Sequence, residues 1–292
     1  MKTGIITKPS AWIYGKDRIS RTDEVFMGWA AGILKEDDEW YEIVTHYGYR
    51  GYLQKEALSL CSTEDLRKRD HTGETLLVGR AFADVMEEAD VHSRTLCTLS
   101  RGSFITDLGE AKNGYRKIRM ADEREGYLSA AACKKRKDSD CYLYEENSEG
   151  IFLRQIEKSG LDERIFRRNT VLSVKSYLGT QYRWAGKSPA GIDCSGLTFM
   201  CYLMNGILIY RDAEIKEGYP VHKISIEQMQ PADLLYFPNH VAMYIGDGMY
   251  IHATGNERSF GCVINSLLKE EFHYRKDLAE HILAVGSVWP PR

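Results

Sequence analysis

The stretch "GIDCSGLTFM", residues 191–200, sets a cysteine between Asp193 and Ser195, directly before an apolar run. Such a thiol is either a small buried hydrophobe or a nucleophile. Leu197, Met200, Cys201 and Met204 recur at helical spacing, so a helix is predicted to begin here with Asp193 or a neighbour as its cap. Cys194 then occupies the first turn. The unpaired N–H groups and the positive dipole end found there favour a thiolate. Cys201 falls two turns on, on the core-facing side, and reads as a buried thiol.

A second stretch answers the first. In "QPADLLYFPNHVAMYIGDGMYIHATG", 230–255, the runs "DLLYF" and "VAMYIG" are strand-like, Asp247-Gly248 is a hairpin turn signal, and "MYIHA" is the returning strand. His240 starts one strand and His252 nearly ends the next, so the hairpin folds the two toward each other. One histidine can then approach a helix-borne thiol while the other holds its far ring nitrogen. That is a nucleophile, base and orienter: Cys194 attacks a carbonyl, His240 moves the proton, and His252 fixes the His240 tautomer. From the residues alone, other readings stay open. The histidines can be hydrogen-bonded core residues, or can join Cys194 around a metal. No H-x-x-x-H helix or paired-cysteine knuckle supports the metal, and no cofactor is expected. His46, His71, His92, His222, His273 and His281 read as surface or structural.

The first half of the chain repeats itself. "WYEIVTHYGYRGYLQKEAL" (40–58) aligns without gaps on "YRKIRMADEREGYLSAAAC" (115–133), an offset of 75 that sets Trp40 on Tyr115, Ile43 on Ile118, and Gly51-Tyr52-Leu53 on Gly126-Tyr127-Leu128. Each copy reads as an aromatic-led strand, a polar turn and a Gly-aromatic-apolar strand. Short strands at this pitch predict a small β-barrel made twice, over 1–65 and 77–140. A charged, helix-rich link follows at about 146–170. Thr170 then reads as the N-cap of a helix carrying Val171, Val174, Tyr177 and Leu178 and stopped by Gly179, within a C-terminal domain over 150–292.

Totals narrow the classes. The formal charge of -3 gives no global basic field for nucleic acid, and the run Lys134-Lys135-Arg136-Lys137 reads as a solvated loop. No run of 18 apolar residues spans a membrane. The cysteines 61, 97, 133, 141, 194, 201 and 262 are odd in number and lack a CxxC, which suits free thiols in a reducing compartment. The N-terminus lacks the apolar core of a secretory leader, so a cytoplasmic location is expected; the alternative is a secreted or periplasmic protein whose leader is missing from this sequence.

The motifs "YRWAG…GIDCSGL" and "PADLLYF…HVAMYIGDGMYIHATG" together resemble the NlpC/P60 family of papain-like cell-wall cysteine peptidases, over about 170–290. The resemblance implies an α+β papain-like fold. It assigns the nucleophile to Cys194, the general base to His240 and the third polar residue to His252. Asp193 and Ser195 shape the site, and Tyr182 and Trp184 line the substrate groove. Two departures stand out. Pro231-Ala232-Asp233-Leu234 replaces P-G-D-L, and an ordinary φ is expected of Ala232. Lys216 stands where relatives carry Gln. The N-terminal repeats resemble bacterial SH3-like modules. With them, the whole chain resembles γ-D-glutamyl-L-diamino-acid endopeptidases, which cleave small murein peptides between γ-D-Glu and meso-diaminopimelate or L-Lys. That group implies an acid on the preceding barrel that meets a free N-terminal amine, and Glu39 in the Asp37-Asp38-Glu39 cluster is the expected one. The same fold can serve acyl transfer or lipid ester hydrolysis, or bind wall material without turnover, and oligomeric state is not readable.

Overall fold

The computed structural model describes residues 2–71, 75–135, 150 and 152–290. Two compact units divide the chain, one built from 1–137 and 141–147, the other from 138–140 and 148–292. Arg136, Lys137 and Cys141 of the sequence reading lie outside the described residues, as does the side chain of His71.

In the first unit, strands β1 (Lys2–Ile6), β2 (Ser10–Tyr14), β3 (Arg21–Phe26), β4 (Ala30–Glu36), β5 (Trp40–Thr45), β6 (Arg50–Gln54) and β7 (Leu58–Cys61) form one antiparallel sheet. Helix α1 (Thr63–His71) follows. The second sheet holds β8 (Thr75–Val78), β9 (Phe82–Met86), β10 (Thr95–Ser100), β11 (Phe104–Lys112), β12 (Tyr115–Arg119), β13 (Glu125–Ser129) and β14 (Cys133–Lys135). Their strand orders, β3-β2-β6-β5-β4-β1-β7 and β10-β9-β13-β12-β11-β8-β14, are the same order advanced by seven. Register repeats as well: Ile43 faces Gly51 and Ile118 faces Gly126. The repeated glycine has a steric cause. A Cβ on Gly51 would lie 2.3 Å from Ile13 Cγ2, and one on Gly126 would lie 2.6 Å from Val85 Cγ1, the matching position of the matching strand.

Neither sheet closes into the expected barrel: each strand order is linear, with edge strands at both ends. The chain after β3 directs hydrogen bonds to the other sheet. Met27 carbonyl accepts from Phe104 N–H at 2.9 Å, and Trp29 Nε1–H donates to Gly102 carbonyl at 2.8 Å. Gly28, at φ +86, passes so near Phe104 that a Cβ would lie 2.3 Å from its carbonyl oxygen. Ile5, Met27, Ala30 and Leu66 accordingly share one core with Leu76, Val85, Ile105, Ile118 and Leu128.

The second unit begins with α2 (Gln155–Ser159) and α3 (Glu163–Lys175). The helix expected from Thr170 starts earlier. Asp162 caps α3 by accepting from Ile165 N–H at 2.8 Å, and Thr170 is a buried mid-helix residue. The Asp162-Glu163 start signal lies inside the charged stretch expected as a link at about 146–170. A two-stranded ribbon, β15 (Lys187–Ser188) and β16 (Gly191–Ile192), leads into α4 (Cys194–Leu203). Strands β17 (His222–Ile224), β18 (Leu234–Phe237), β19 (His240–Gly246), β20 (Met249–Thr254), β21 (Gly261–Ser266) and β22 (Ala284–Ser287) form a sheet in the order β17-β22-β18-β19-β20-β21, with α5 (Lys276–Ala279) before its last strand. The hairpin β19–β20 turns at Asp247 and Gly248, both at positive φ. Among the described residues no helix is long and apolar enough to cross a membrane.

Helix α4 packs against α3, β15, β19 and β20, and every one of its ten residues is buried. The sequence suggested a one-sided apolar stripe. The structure instead buries Ser195, Gly196, Thr198, Phe199 and Tyr202 too, consistent with a run from Cys194 to Met204 that holds no charged residue. Burial of Leu197, Phe199, Met200 and Leu203 contributes about 2 kcal/mol each.

Candidate active site

Asp193 is extended (φ −96, ψ 178) and caps α4, its Oδ1 accepting from Gly196 N–H at 2.6 Å. Its carboxylate also receives the guanidinium of Arg211, with Nη1 to Oδ1 at 3.1 Å and Nη2 to Oδ2 at 3.0 Å; the same Nη1 donates to Ser195 Oγ at 2.7 Å. This pair is buried, with side-chain exposures of 1% and 8%, and its bidentate geometry holds the two residues flanking the thiol. Gly196 allows the close approach of the preceding loop, because a Cβ there would lie 2.2 Å from Gly186 carbonyl oxygen.

The start of α4 meets the start of β19. Backbone N–H groups of Val241 and Ser195 reach the Cys194 sulfur, and Val241 follows His240 directly. From His240 a hydrogen-bonded line crosses the sheet: His240 Nε2 to His252 Nδ1 at 2.6 Å, then His252 Nε2 to Asn265 Oδ1 at 2.7 Å. Strand register explains the line. Met243 pairs with Ile251, so by extension Ala242 sits opposite His252, and His240 lies two residues away on the same face. His252 pairs with Val263, and Asn265 is again two residues on. The three side chains are diagonal neighbours on β19, β20 and β21.

Burial governs the charge state. It pushes the Cys194 thiol up to about 11, helped by the Asp193 carboxylate and opposed by the two backbone N–H groups and Arg211. Burial likewise lowers His240 to about 3, with His252 and Arg275 adding to it, and lowers His252 to about 4 against the hydrogen bond that Asn265 Oδ1 accepts from it. The thiolate expected from the helix N-terminus is therefore outweighed by desolvation. Burial thus favours the neutral thiol at Cys194 and the neutral imidazole at His240.

The other sequence candidates separate. Tyr182 is half-buried, and its hydroxyl is pushed up to about 12 by burial and by the neighbouring Cys194. Trp184 is exposed. Glu39 belongs to the N-terminal unit, where it stands exposed in the turn between β4 and β5. Beside it, Asp37 is engaged by Trp40 N–H at 2.9 Å and by Arg18. Lys216 is exposed, 3.5 Å from Glu214, with its ammonium over the Tyr210 ring. Ala232 does not keep an ordinary φ: it sits at +76, the left-handed conformation that glycine takes without strain, and is fixed there by Ala232 N–H to Tyr244 carbonyl at 2.8 Å and by Tyr202 hydroxyl to its own carbonyl at 2.5 Å. Among the described residues no group of three His, Cys, Asp or Glu is placed to hold a metal ion.

Sequence reasoning missed Asn265 and the part played by Arg211. A polar Asn two residues after Val263, within an otherwise strand-forming run, is the signal that marks Asn265, but its value depends on knowing which strand lies beside β20. Arg211 was visible as part of a motif, yet its salt bridge spans eighteen residues of chain and a loop.

Comparison with known proteins adds four findings. Residues 179–276 match the NlpC/P60 family. The chain is 36% identical over 276 residues to dipeptidyl-peptidase 6 of Lysinibacillus sphaericus, covering 91% of this chain and 92% of that protein. It is 44% identical over 95 residues to a gamma-D-glutamyl-L-lysine dipeptidyl-peptidase of Bacillus cereus, covering 29% of this chain and 28% of that one. In fold it matches the crystal structure of an NlpC/P60 family protein from Bacillus cereus across 99% of this chain and 100% of that one, with a TM-score of 0.74 at 18% identity.

Proposed function

The chain belongs to the NlpC/P60 family of cell-wall cysteine peptidases, and from that we propose that it hydrolyses the amide between γ-D-Glu and a diamino acid, meso-diaminopimelate or L-Lys, in murein peptides with a free N-terminal L-Ala. The observation that carries this reading is the thiol at the start of α4, set against the strand that opens the His240–His252–Asn265 line. The name of the Bacillus cereus relative supports the bond class, and that of the Lysinibacillus sphaericus relative supports dipeptide release.

Cys194 attacks the γ-carbonyl carbon as its proton passes to His240. A neutral resting pair makes this transfer part of the attack rather than a prior step. The C–S bond forms, and the carbonyl oxygen takes up negative charge beside the N–H groups at the start of α4, where one such donor is worth about 3 kcal/mol in related sites. The C–N bond then breaks as imidazolium His240 gives its proton to the leaving amine. Water attacks the thioester, His240 takes its proton, and collapse releases L-Ala-γ-D-Glu and returns the proton to sulfur. His252 holds His240 in orientation through each stage. Tyr182, Trp184, Asp193 and Ser195 are assigned to substrate positioning, and no cofactor takes part in the scheme.

The two N-terminal sheets are assigned as the SH3-like modules of this architecture. Glu39 is the carboxylate we assign to the substrate ammonium, on its exposure and on the commitment of Asp37 to Arg18 and to its own turn. The site of action is taken to be the cytoplasm, on small muropeptides.

Mass spectrometry with L-Ala-γ-D-Glu-meso-diaminopimelate and its N-acetylated copy tests the proposal. Release of L-Ala-γ-D-Glu from the free-amine peptide alone, abolished in Cys194→Ala, is expected. Equal cleavage of both peptides would remove amine recognition. Cleavage of neither, nor of the L-Lys version, would remove the substrate assignment.

A further inference from the structure

Asn265 donates through Nδ2 to the carbonyl of His273 at 2.9 Å. That bond fixes which way the amide faces, because the flipped amide would set its oxygen against a carbonyl oxygen. Asn265 Oδ1 is thereby turned on His252 Nε2, 2.7 Å away. An acceptor there requires a proton on His252 Nε2. Burial keeps His252 neutral, so its Nδ1 carries a lone pair and accepts. The 2.6 Å contact to His240 Nε2 then requires the proton to be on His240 Nε2. His240 is left with its lone pair on Nδ1.

We infer that Asn265 is a positioning residue which, anchored to a backbone carbonyl, sets the direction of every hydrogen bond in the His240–His252 pair and so makes His240 Nδ1 the proton-accepting nitrogen. The inference rests on the proposed peptidase reading for its kinetic consequence, but not for the tautomers themselves. The nearby charged side chains are Arg275 and Asp277, which are paired with each other, Nη2 to Oδ2 at 2.6 Å, and neither takes the place of the Asn265 oxygen. Asn265 is buried and sits on the edge strand β21, with β20 between it and β19, so its influence on His240 passes through His252.

The test is long-range ¹H–¹⁵N spectroscopy of the full chain at neutral pH, with Asn265→Leu and Asn265→Asp beside the wild type. Both His240 and His252 are expected as Nε2–H tautomers. Asn265→Leu removes the acceptor and should give His252 a mixed tautomer, with kcat on the diaminopimelate peptide falling about 10- to 100-fold and KM staying within about twofold. Asn265→Asp keeps an acceptor oxygen toward His252 but sets its other oxygen against the His273 carbonyl, so it should keep the Nε2–H tautomer while recovering only part of the lost kcat. An Nδ1–H tautomer at His252 in the wild type overturns the inference. So does a Leu variant with unchanged tautomers, whether or not kcat falls. Should the wild type cleave no murein peptide, the functional reading fails while the spectra still decide the tautomers. If Asn265→Leu does not fold, the wild-type and Asn265→Asp spectra decide alone.

Discussion

Glu36 and Asp193 each meet cationic side chains, and they do so in opposite surroundings. Glu36, in the N-terminal unit, is shared by Lys55 at 2.9 Å and Lys2 at 3.1 Å where water reaches all three, and the lysines hold its carboxyl below the usual range. Asp193, in the C-terminal unit, meets one guanidinium inside the protein. The first arrangement ties the ends of two neighbouring interior strands, β1 and β4, at the surface. The second fixes the entrance of α4 and must be complete, because a half-pair left in the interior has no water to fall back on. The contrast teaches where sequence changes are cheap. It also shows why the thiol rises and the imidazoles fall: the site lies in the part of the molecule that excludes water.

The sharpest way to probe the contrast is at the thiol. Cys194→Ala should lower peptide turnover by about 10³-fold or more while thermal unfolding stays cooperative. Glu36→Gln should leave turnover unchanged, and a shared loss would erase the distinction between the units. Next comes Arg211→Met, which strands Asp193; chemical denaturation should show a loss of about 3–5 kcal/mol that persists in molar salt.

The charge state offers a third probe. With its thiol up at about 11, Cys194 should be alkylated by iodoacetamide about tenfold faster for each pH unit between 7 and 9, followed by peptide mapping. A flat profile over that range would mean a preformed thiolate–imidazolium pair and would reverse the burial argument. Backbone strain gives a smaller effect. Ala232→Gly relieves the +76 φ and should raise stability by about 1 kcal/mol. Glu36→Gln should have the smallest effect on stability, and that effect should vanish in molar salt.

Much of this was readable beforehand. The cysteine at the helix start, the Asp193 cap and the Asp247-Gly248 hairpin are local signals, each written within a few residues, and the offset-75 repeat is legible by aligning the chain on itself. What escaped was non-local. The repeat announces two similar sheets but not that the chain after β3 bonds to the other copy, since Met27 and Phe104 lie far apart in sequence. Nothing near Asn265 tells which strand pairs with β20. The φ of Ala232 is set by Tyr202 and Tyr244 from two other elements, against the residue's own preference. The thiol's charge state followed the same rule, because the helix-end effect is local and burial is a property of the whole fold.

The joined core of the two N-terminal sheets bears on how the chain can be cut. Trp29 is anchored on Gly102, and Met27 and Leu66 complete the packing around Val85 and Ile118. The copies are therefore not beads that can be removed one at a time. A chain cut near residue 72 would expose Met27 and Leu66 in one fragment and Leu76, Val85 and Ile105 in the other. Both repeats should melt in a single transition, resist proteases together, and be inherited as one indivisible block.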